Sequence, residues 1–116
     1  MRYSTFNYIR SFRKQHALST NELAFLIGQR SKSAVSQFEA GDRHPSLVAA
    51  FALQVIFGQG SHELMPGLFE HVEETVMRRV AELIQRLEGR ADRASQTKLD
   101  LLHGIPGRRE DNDIDL

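Results

Sequence analysis

The sequence predicts an all-α protein in which a bundle of five helices is followed by one long amphipathic helix and a flexible tail. Apolar residues recur every three or four positions over most of the first 88 residues, as they do on the buried side of a helix. Signals for helix starts and stops bound these segments: Ser19 with Glu22 is one start, and Gly28 and Gly41 are two stops. With 116 residues, the chain is long enough for one domain with an appendage.

The first two helices are predicted from the residues that would cap them. Ser4 or Thr5 can cap a first helix that runs to about Gln15. The second helix starts with a capping box, in which the Ser19 hydroxyl accepts from the Glu22 amide and the Glu22 carboxylate accepts from the Ser19 amide. Such caps satisfy backbone amides that have no partner within the helix.

A third helix is predicted to follow the second one after a tight turn. Ser31 is its expected N-cap, Gly41 is its expected end, and Ala34, Val35 and Phe38 form its apolar side. Two helices of about two turns each, with a glycine in the joint, are the sequence form of a helix-turn-helix.

Two further helices would complete the bundle. Pro45 and Ser46 start a fourth helix that runs to about Phe57. Its sequence, LVAAFALQVIF, is apolar nearly all round, so we expect it to be packed on several sides as the central post of the domain. Ser61 is predicted to cap a short fifth helix that ends at Met65.

These motifs resemble the Cro/repressor-type (Xre-like) helix-turn-helix family of DNA-binding domains over roughly residues 4–65. The usual family pattern is an Arg in the first helix, then L-S-x-x-E-L-A, L-G, S-x-x-I/V-S-x-I-E and G-x-R-x-P-S-L. The corresponding residues and segments here are Arg13, LSTNELA (18–24), IG (27–28), SAVSQFE (33–39) and GDRHPSL (41–47). The resemblance implies a Cro/repressor-like bundle that binds DNA, with an internal ion pair between Arg13 and Glu39.

The resemblance also indicates which residues would meet DNA, because the third helix of such a domain enters the major groove with its N-terminal end first. The residues expected to contact base edges are Lys32, Ser33, Ser36 and Gln37. The residues expected to contact phosphates are Thr20, Asn21, Arg30 and Arg43. The alternative for Lys32 and Gln37 is that they are ordinary solvent-facing polar residues.

Two positions depart from the family pattern. Thr20 stands where the family usually has Gln at the start of the second helix. The turn from Gly28 to Ser31 is one residue longer than usual and lacks the apolar residue that normally follows the glycine. The longer turn could shift the register of the base contacts by about one position.

Residues 68–88 are predicted to form one long helix with an apolar stripe on one side. The stripe comprises Phe69, Val72, Val76, Val80, Leu83 and Leu87. It either folds back on the bundle or packs against its copy in a second chain, and we favour a homodimer because the family reads paired half-sites as dimers. We therefore expect a DNA-binding domain over 1–65, a helical extension for dimerisation over 66–103 and a disordered tail over 104–116, with a hinge at 89–96.

The net charge of zero hides a difference between the two halves of the chain. Residues 1–60 contain seven Lys and Arg residues and three acidic residues, which gives a net charge of +4. Residues 61–116 contain eight Lys and Arg residues and twelve acidic residues, which gives a net charge of −4. A basic first half fits a chain that binds a polyanion with one end, although a difference of this size also arises by chance.

Enzymatic and metal-binding functions have no support in the sequence. There is no cysteine, no Gly-rich phosphate loop and no pair of carboxylates in an apolar context, so we expect no catalysis, no cofactor and no metal site. No apolar run is long enough to cross a membrane, and a chain without cysteine is compatible with a cytoplasmic location.

The sequence thus predicts a sequence-specific DNA-binding transcriptional regulator, with a repressor as the preferred form. The alternative is a protein-binding module, such as an antitoxin, that docks a partner on its C-terminal helix. A third possibility is a regulator whose tail binds a small effector, for which the sequence offers no pocket signature.

Overall fold

The computed structural model describes the backbone of residues 6–114 and the side chains of residues 6–107. This part of the chain contains seven α-helices and no strand, which confirms the all-α prediction. The helices are α1 Ile9–Gln15, α2 Thr20–Leu26, α3 Lys32–Ala40, α4 Leu47–Phe57, α5 Ser61–Leu64, α6 Pro66–Leu87 and α7 Arg93–Ile114. They form two compact units, one up to Val72 and one from Glu73 onward, with the boundary inside α6. No helix within residues 6–114 combines the length and the apolarity needed to cross a membrane.

Helix α1 starts later than the sequence predicts. Tyr8 is its N-cap residue, and the Ile9 amide donates to Asn7 Oδ1 at 3.1 Å, so Asn7 satisfies an amide of the first turn. The predicted caps, Ser4 and Thr5, lie outside the described residues. The helix ends at Gln15, as expected.

The predicted capping box of α2 is present. The Glu22 amide donates to Ser19 Oγ at 3.0 Å, and the Ser19 amide donates to Glu22 Oε1 at 2.8 Å. Gly28 and Gly41 follow α2 and α3 with φ of 75° and 78°, in the left-handed region that glycine adopts without strain. Ser31 occupies the N-cap position of α3, but its side chain makes no capping hydrogen bond.

The core of the first unit is built from α1 to α5 and the start of α6. Its buried residues are Ile9, Leu23, Ala24, Ile27, Ala34, Val35, Phe38, Ala49, Ala50, Leu53, Leu64 and Met65. Burying each large aliphatic side chain contributes roughly 1.5–3 kcal/mol to folding. The helical periodicity of the sequence therefore identifies the inward side of α3 correctly. In α2 the same periodicity predicts that Leu23, Ala24, Leu26 and Ile27 face inward, and this is wrong for Leu26, which is 48% exposed.

The sequence predicts that helix α4 is packed on several sides at the centre of the domain, and the structure contradicts this. The helix starts after Ser46, whose Oγ accepts from the Ala49 amide at 3.1 Å, and it ends at Gly58, as expected. Only one side is buried, and it carries two alanines and Leu53; Val48 and Val55 on the other side are exposed. The prediction failed because a helix that is apolar all round does not specify which side packs.

Helix α5 is capped one residue earlier than predicted. Gly60, not Ser61, is its N-cap, and the Gly60 amide donates to Glu63 Oε1 at 2.8 Å. Helix α6 likewise begins earlier than residue 68, at Pro66, whose fixed φ and missing amide hydrogen suit a first helical position.

The second unit is held together by packing between α6 and α7. Its buried apolar residues are Val80, Leu87, Leu99 and Leu102, and Ile84 and Ile105 pack against them. Asp92 caps α7: its Oδ2 accepts from the Ser95 amide at 3.0 Å, and its Oδ1 accepts from the buried Ser95 hydroxyl at 2.8 Å. These hydrogen bonds lower the pKa of Asp92.

The structure differs from the prediction over the C-terminal part of the chain. Helix α7 begins at Arg93 and continues to Ile114, so residues 93–96 are not part of a hinge and residues 104–114 are helical instead of disordered. Positions 115 and 116 of the predicted tail lie outside the described residues. Tertiary packing explains the helix as far as residue 105: Leu99 and Leu102 are buried in the core of the second unit and Ile105 packs against it, at a spacing of three residues. The helix continues even though Pro106 supplies no amide hydrogen.

We expect Leu53→Ala to destabilise the first unit by about 2–5 kcal/mol, because it leaves a cavity in the core. Val55→Ala on the same helix is the matched control and should change the free energy of unfolding by less than about 0.5 kcal/mol, since Val55 is exposed. Urea denaturation followed by circular dichroism measures both. Equal losses would mean that α4 is packed on both sides after all.

We expect Asp92→Ala to lower the thermal midpoint of the second unit at pH 7. The folded-state pKa of Asp92 lies below its unfolded value, so its contribution is present above about pH 4 and is lost as the pH falls further. The difference between variant and wild type should therefore shrink between pH 7 and pH 3 in thermal melts. Leu101→Ala, at an exposed position of α7 that carries no titratable group, is the control and should show no such pH-dependent difference.

Candidate nucleic-acid interface

Helices α2 and α3 form the two arms of a helix-turn-helix. Leu23 and Ile27 on the α2 side and Val35 and Phe38 on α3 belong to one buried cluster, so the two helices pack through their apolar sides. After α2, the Gln29 amide donates to the Ala24 carbonyl at 2.8 Å, which closes the last turn of that helix. The apolar side of α3 is thus buried even though the turn before it contains one extra residue.

The outward side of α3 carries the four predicted base-contact residues. Lys32, Ser33, Ser36 and Gln37 are all exposed, and their spacing of one, three and one residue places them on one side of the helix. Three of the residues between and beside them are buried in the core: Ala34, Val35 and Phe38. The structure thus brings the predicted set together as a polar surface that begins at the first residue of α3.

The four predicted phosphate-contact residues lie on different elements. Thr20 and Asn21 are the first two residues of α2, where backbone amides have no carbonyl partner within the helix; Thr20 is half-buried and Asn21 is exposed. Arg30 is exposed in the turn between α2 and α3. Arg43 is exposed in the loop after α3.

Arg43 is held in place by the end of α3. Its guanidinium carbon lies 5.6 Å from the centroid of the Phe38 ring, within the range of a cation–π contact. The backbone amides of Asp42 and Arg43 donate to the Gln37 carbonyl at 3.0 and 3.3 Å. The loop therefore presents the Arg43 cation next to the C-terminal end of α3 with restricted freedom.

The ion pair predicted from the family pattern joins α1 to α3. Arg13 Nε donates to Glu39 Oε2 at 2.5 Å, and Nη2 donates to Oε1 at 3.2 Å. Arg13 Nη1 also donates to the Leu18 carbonyl at 2.9 Å, just before α2. The two side chains are only 11% and 8% exposed, and the hydrogen bond to Glu39 raises the pKa of Arg13. The two side chains are therefore paired with each other and lie mostly out of contact with solvent.

Asn7 makes a second side-chain hydrogen bond to α3, which the sequence does not predict. Its Nδ2 donates to the Phe38 carbonyl at 3.0 Å, while its Oδ1 accepts from the Ile9 amide. Asn7 thus links the start of α1 to the last turn of α3. An Asn ahead of a helix is an ordinary capping residue, so no pattern in the chain points to this longer-range contact.

We expect Arg13→Ala to destabilise the first unit by about 2–4 kcal/mol, because Glu39 is then left with a mostly buried charge and no partner. Arg13→Lys should restore part of this loss, since a lysine keeps the charge but not the bidentate geometry. Arg10→Ala, at an exposed position on the same helix, is the control. Chemical denaturation with a loss from Arg13→Ala no larger than that of the control would contradict the structural role of the pair.

The comparison with known protein families agrees with this geometry. The family described as helix-turn-helix matches residues 9–64, which covers α1 to α5. No curated protein and no solved structure matches the chain. Residues 9–64 are therefore a helix-turn-helix domain of the Cro/repressor (Xre-like) type.

Proposed function

We propose that this protein is a sequence-specific DNA-binding transcriptional regulator that acts as a homodimer. The observation that supports this best is the two-sided α3, whose inward side is core and whose outward side carries Lys32, Ser33, Ser36 and Gln37. A bound domain excludes other proteins from its site without needing a further surface, so repression is the expected mode.

The outward side of α3 has the chemistry for reading bases in the major groove. Gln37 can donate to and accept from the N6 and N7 positions of adenine, and Lys32 can donate to the O6 and N7 acceptors of guanine. Each such contact gives roughly 1–3 kcal/mol of discrimination against a wrong base. Ser33 and Ser36 are less selective, because a hydroxyl both donates and accepts.

Phosphate contacts would set the orientation of the domain on the duplex. Arg43 and Arg30 supply cations after and before α3, and Thr20 and Asn21 supply the start of α2. Glu39, the acidic residue of α3, is neutralised by Arg13 and therefore does not repel the phosphate backbone.

The homodimer would use the part of the α6 stripe that stays exposed. Of the six residues predicted for dimerisation, Val80 and Leu87 are buried against residues of α7. The other four are between 38 and 48% exposed: Phe69, Val72, Val76 and Leu83. These four residues, which we call the α6 face, are the proposed dimerisation surface.

The experiment that tests the function is selection of binding sites from random duplexes at about 150 mM salt, where non-specific binding is weak. We expect an enriched palindrome whose half-sites lie about one helical turn apart. The absence of any enrichment, with a protein that is folded by circular dichroism, would contradict DNA reading. The exposed α6 face would then favour the alternative, a module that docks a protein partner such as a toxin.

Lys32→Ala and Arg43→Ala should weaken DNA binding in different ways. Lys32→Ala should reduce affinity for the selected site by about 1–3 kcal/mol and leave other sequences nearly unaffected, since it removes a base contact. Arg43→Ala should weaken binding to all sequences and make the salt dependence shallower by about one ion, since it removes a phosphate contact. Fluorescence anisotropy on the selected site and on a scrambled duplex separates the two patterns. Identical effects of both variants on both duplexes would overturn these assignments.

Replacing Val76 and Leu83 together with Asp should convert dimers to monomers, because two charges per chain would have to be buried in the α6 contact. Sedimentation equilibrium measures the change, and Gln85→Asp, at an exposed position on the other side of α6, is the control. Dimers that persist in the double variant would exclude the α6 face as the dimerisation surface.

A further inference from the structure

Helix α4 carries an exposed apolar surface that the proposed contacts with DNA do not use. Leu47, Val48, Phe51 and Val55 are 69, 76, 55 and 83% exposed. Their spacing of one, three and four residues places them on one side of the helix, opposite Leu53 and the buried alanines. We call these four residues the α4 face.

The α4 face is large and free of charge. Four large apolar side chains exposed to this degree present on the order of 500 Å², which is near the upper end of the largest patch on a typical monomer. Helix α4 contains no charged residue, and Gln54 is its one polar side chain. The largest apolar patch on a monomer is often a functional surface.

We propose that the α4 face packs against the α4 face of a second copy of this chain when two copies occupy paired half-sites on DNA. A contact across a two-fold axis requires a surface that is complementary to itself. An uncharged apolar surface meets this condition, because pairing two copies brings no like charges together. This inference rests on the proposed function, since it concerns a dimer that reads DNA.

The area of the α4 face fits a contact that forms only when the copies are already held together. Two such faces would bury about 1,000 Å² in total, below the roughly 1,200–2,000 Å² of a stable interface. Such a contact is weak between free molecules. It becomes favourable when DNA or the α6 face raises the local concentration of the second copy.

The position of α4 in the chain explains what the contact would achieve. Helix α4 starts four residues after Arg43 and belongs to the same compact unit as α3. A contact inside this unit sets the distance between the two copies of α3 directly, and that distance must match half-sites about 34 Å apart. The contact would therefore make the protein selective for the spacing between half-sites.

Single cysteines can detect this contact, because the sequence contains no cysteine. Val48→Cys and Val55→Cys place a thiol on the α4 face, and Gln15→Cys places one at an exposed position of α1 as the control. Each variant would be treated with a short bis-maleimide alone, with a single half-site duplex and with the selected palindrome. We expect cross-linked dimers from both α4 variants on the palindrome, formed at least about tenfold faster than without DNA or from the control.

Equal cross-linking at all three positions, or none at the α4 positions, would overturn the proposal. Slow maleimide labelling of the α4 cysteines without any dimer would also overturn it, because another segment or partner would then cover the face. Failure of the proposed function is a separate result. It would be seen in the binding-site selection, in which the wild-type protein would enrich no palindrome.

A second variant tests the consequence for binding. Replacing Val48 and Val55 together with Asp should lower affinity for the palindrome on the order of tenfold relative to affinity for a single half-site, because the paired α4 faces would then bring like charges together. The half-site duplex corrects for the added negative charge and for any damage to the fold. Inserting base pairs between the half-sites should weaken the wild type much more than this variant, and equal sensitivity would contradict the role in spacing.

Discussion

The ion pair between Arg13 and Glu39 is the constraint on which the arrangement of the helix-turn-helix unit depends. It joins α1 to the last turn of α3, and the third bond of the guanidinium reaches the Leu18 carbonyl at the entry to α2. Apolar packing favours contact but is nearly indifferent to small rotations of a helix, whereas a bidentate pair has a fixed direction. Asn7 adds a second directed bond to the same end of α3. Together these bonds select one orientation of α3 among packings of similar apolar energy.

This orientation gives α3 its two chemically different sides. Val35 and Phe38 are buried, so the backbone that carries the polar residues at the start of the helix is already ordered. The proposed binding would therefore cost side-chain freedom but little backbone freedom. Phe38 has a second role, because its ring supports the Arg43 guanidinium on the surface. A core residue thus also positions a cation that is proposed to bind phosphate.

The two units differ in how much of their apolar surface is buried. In the second unit, α7 covers Val80 and Leu87 of α6. In the first unit, the apolar residues of α4 exceed what its core can bury, and Val48 and Val55 remain exposed. Exposed apolar surface favours association with other molecules, because association removes it from water. Both proposed contacts between copies therefore lie on such residues.

The sequence by itself determined the features that depend on a few neighbouring residues. The capping box of Ser19, the left-handed Gly28 and Gly41, and the inward side of α3 follow from local hydrogen bonding and helical spacing. The family pattern added the Arg13–Glu39 pair. Only the tertiary structure decided which side of α4 is buried, that Leu99 and Leu102 of α7 pack against α6, and that Asn7 reaches Phe38. These features depend on segments distant in the sequence, because burial and long-range hydrogen bonds are set by what packs against a helix and not by the helix alone.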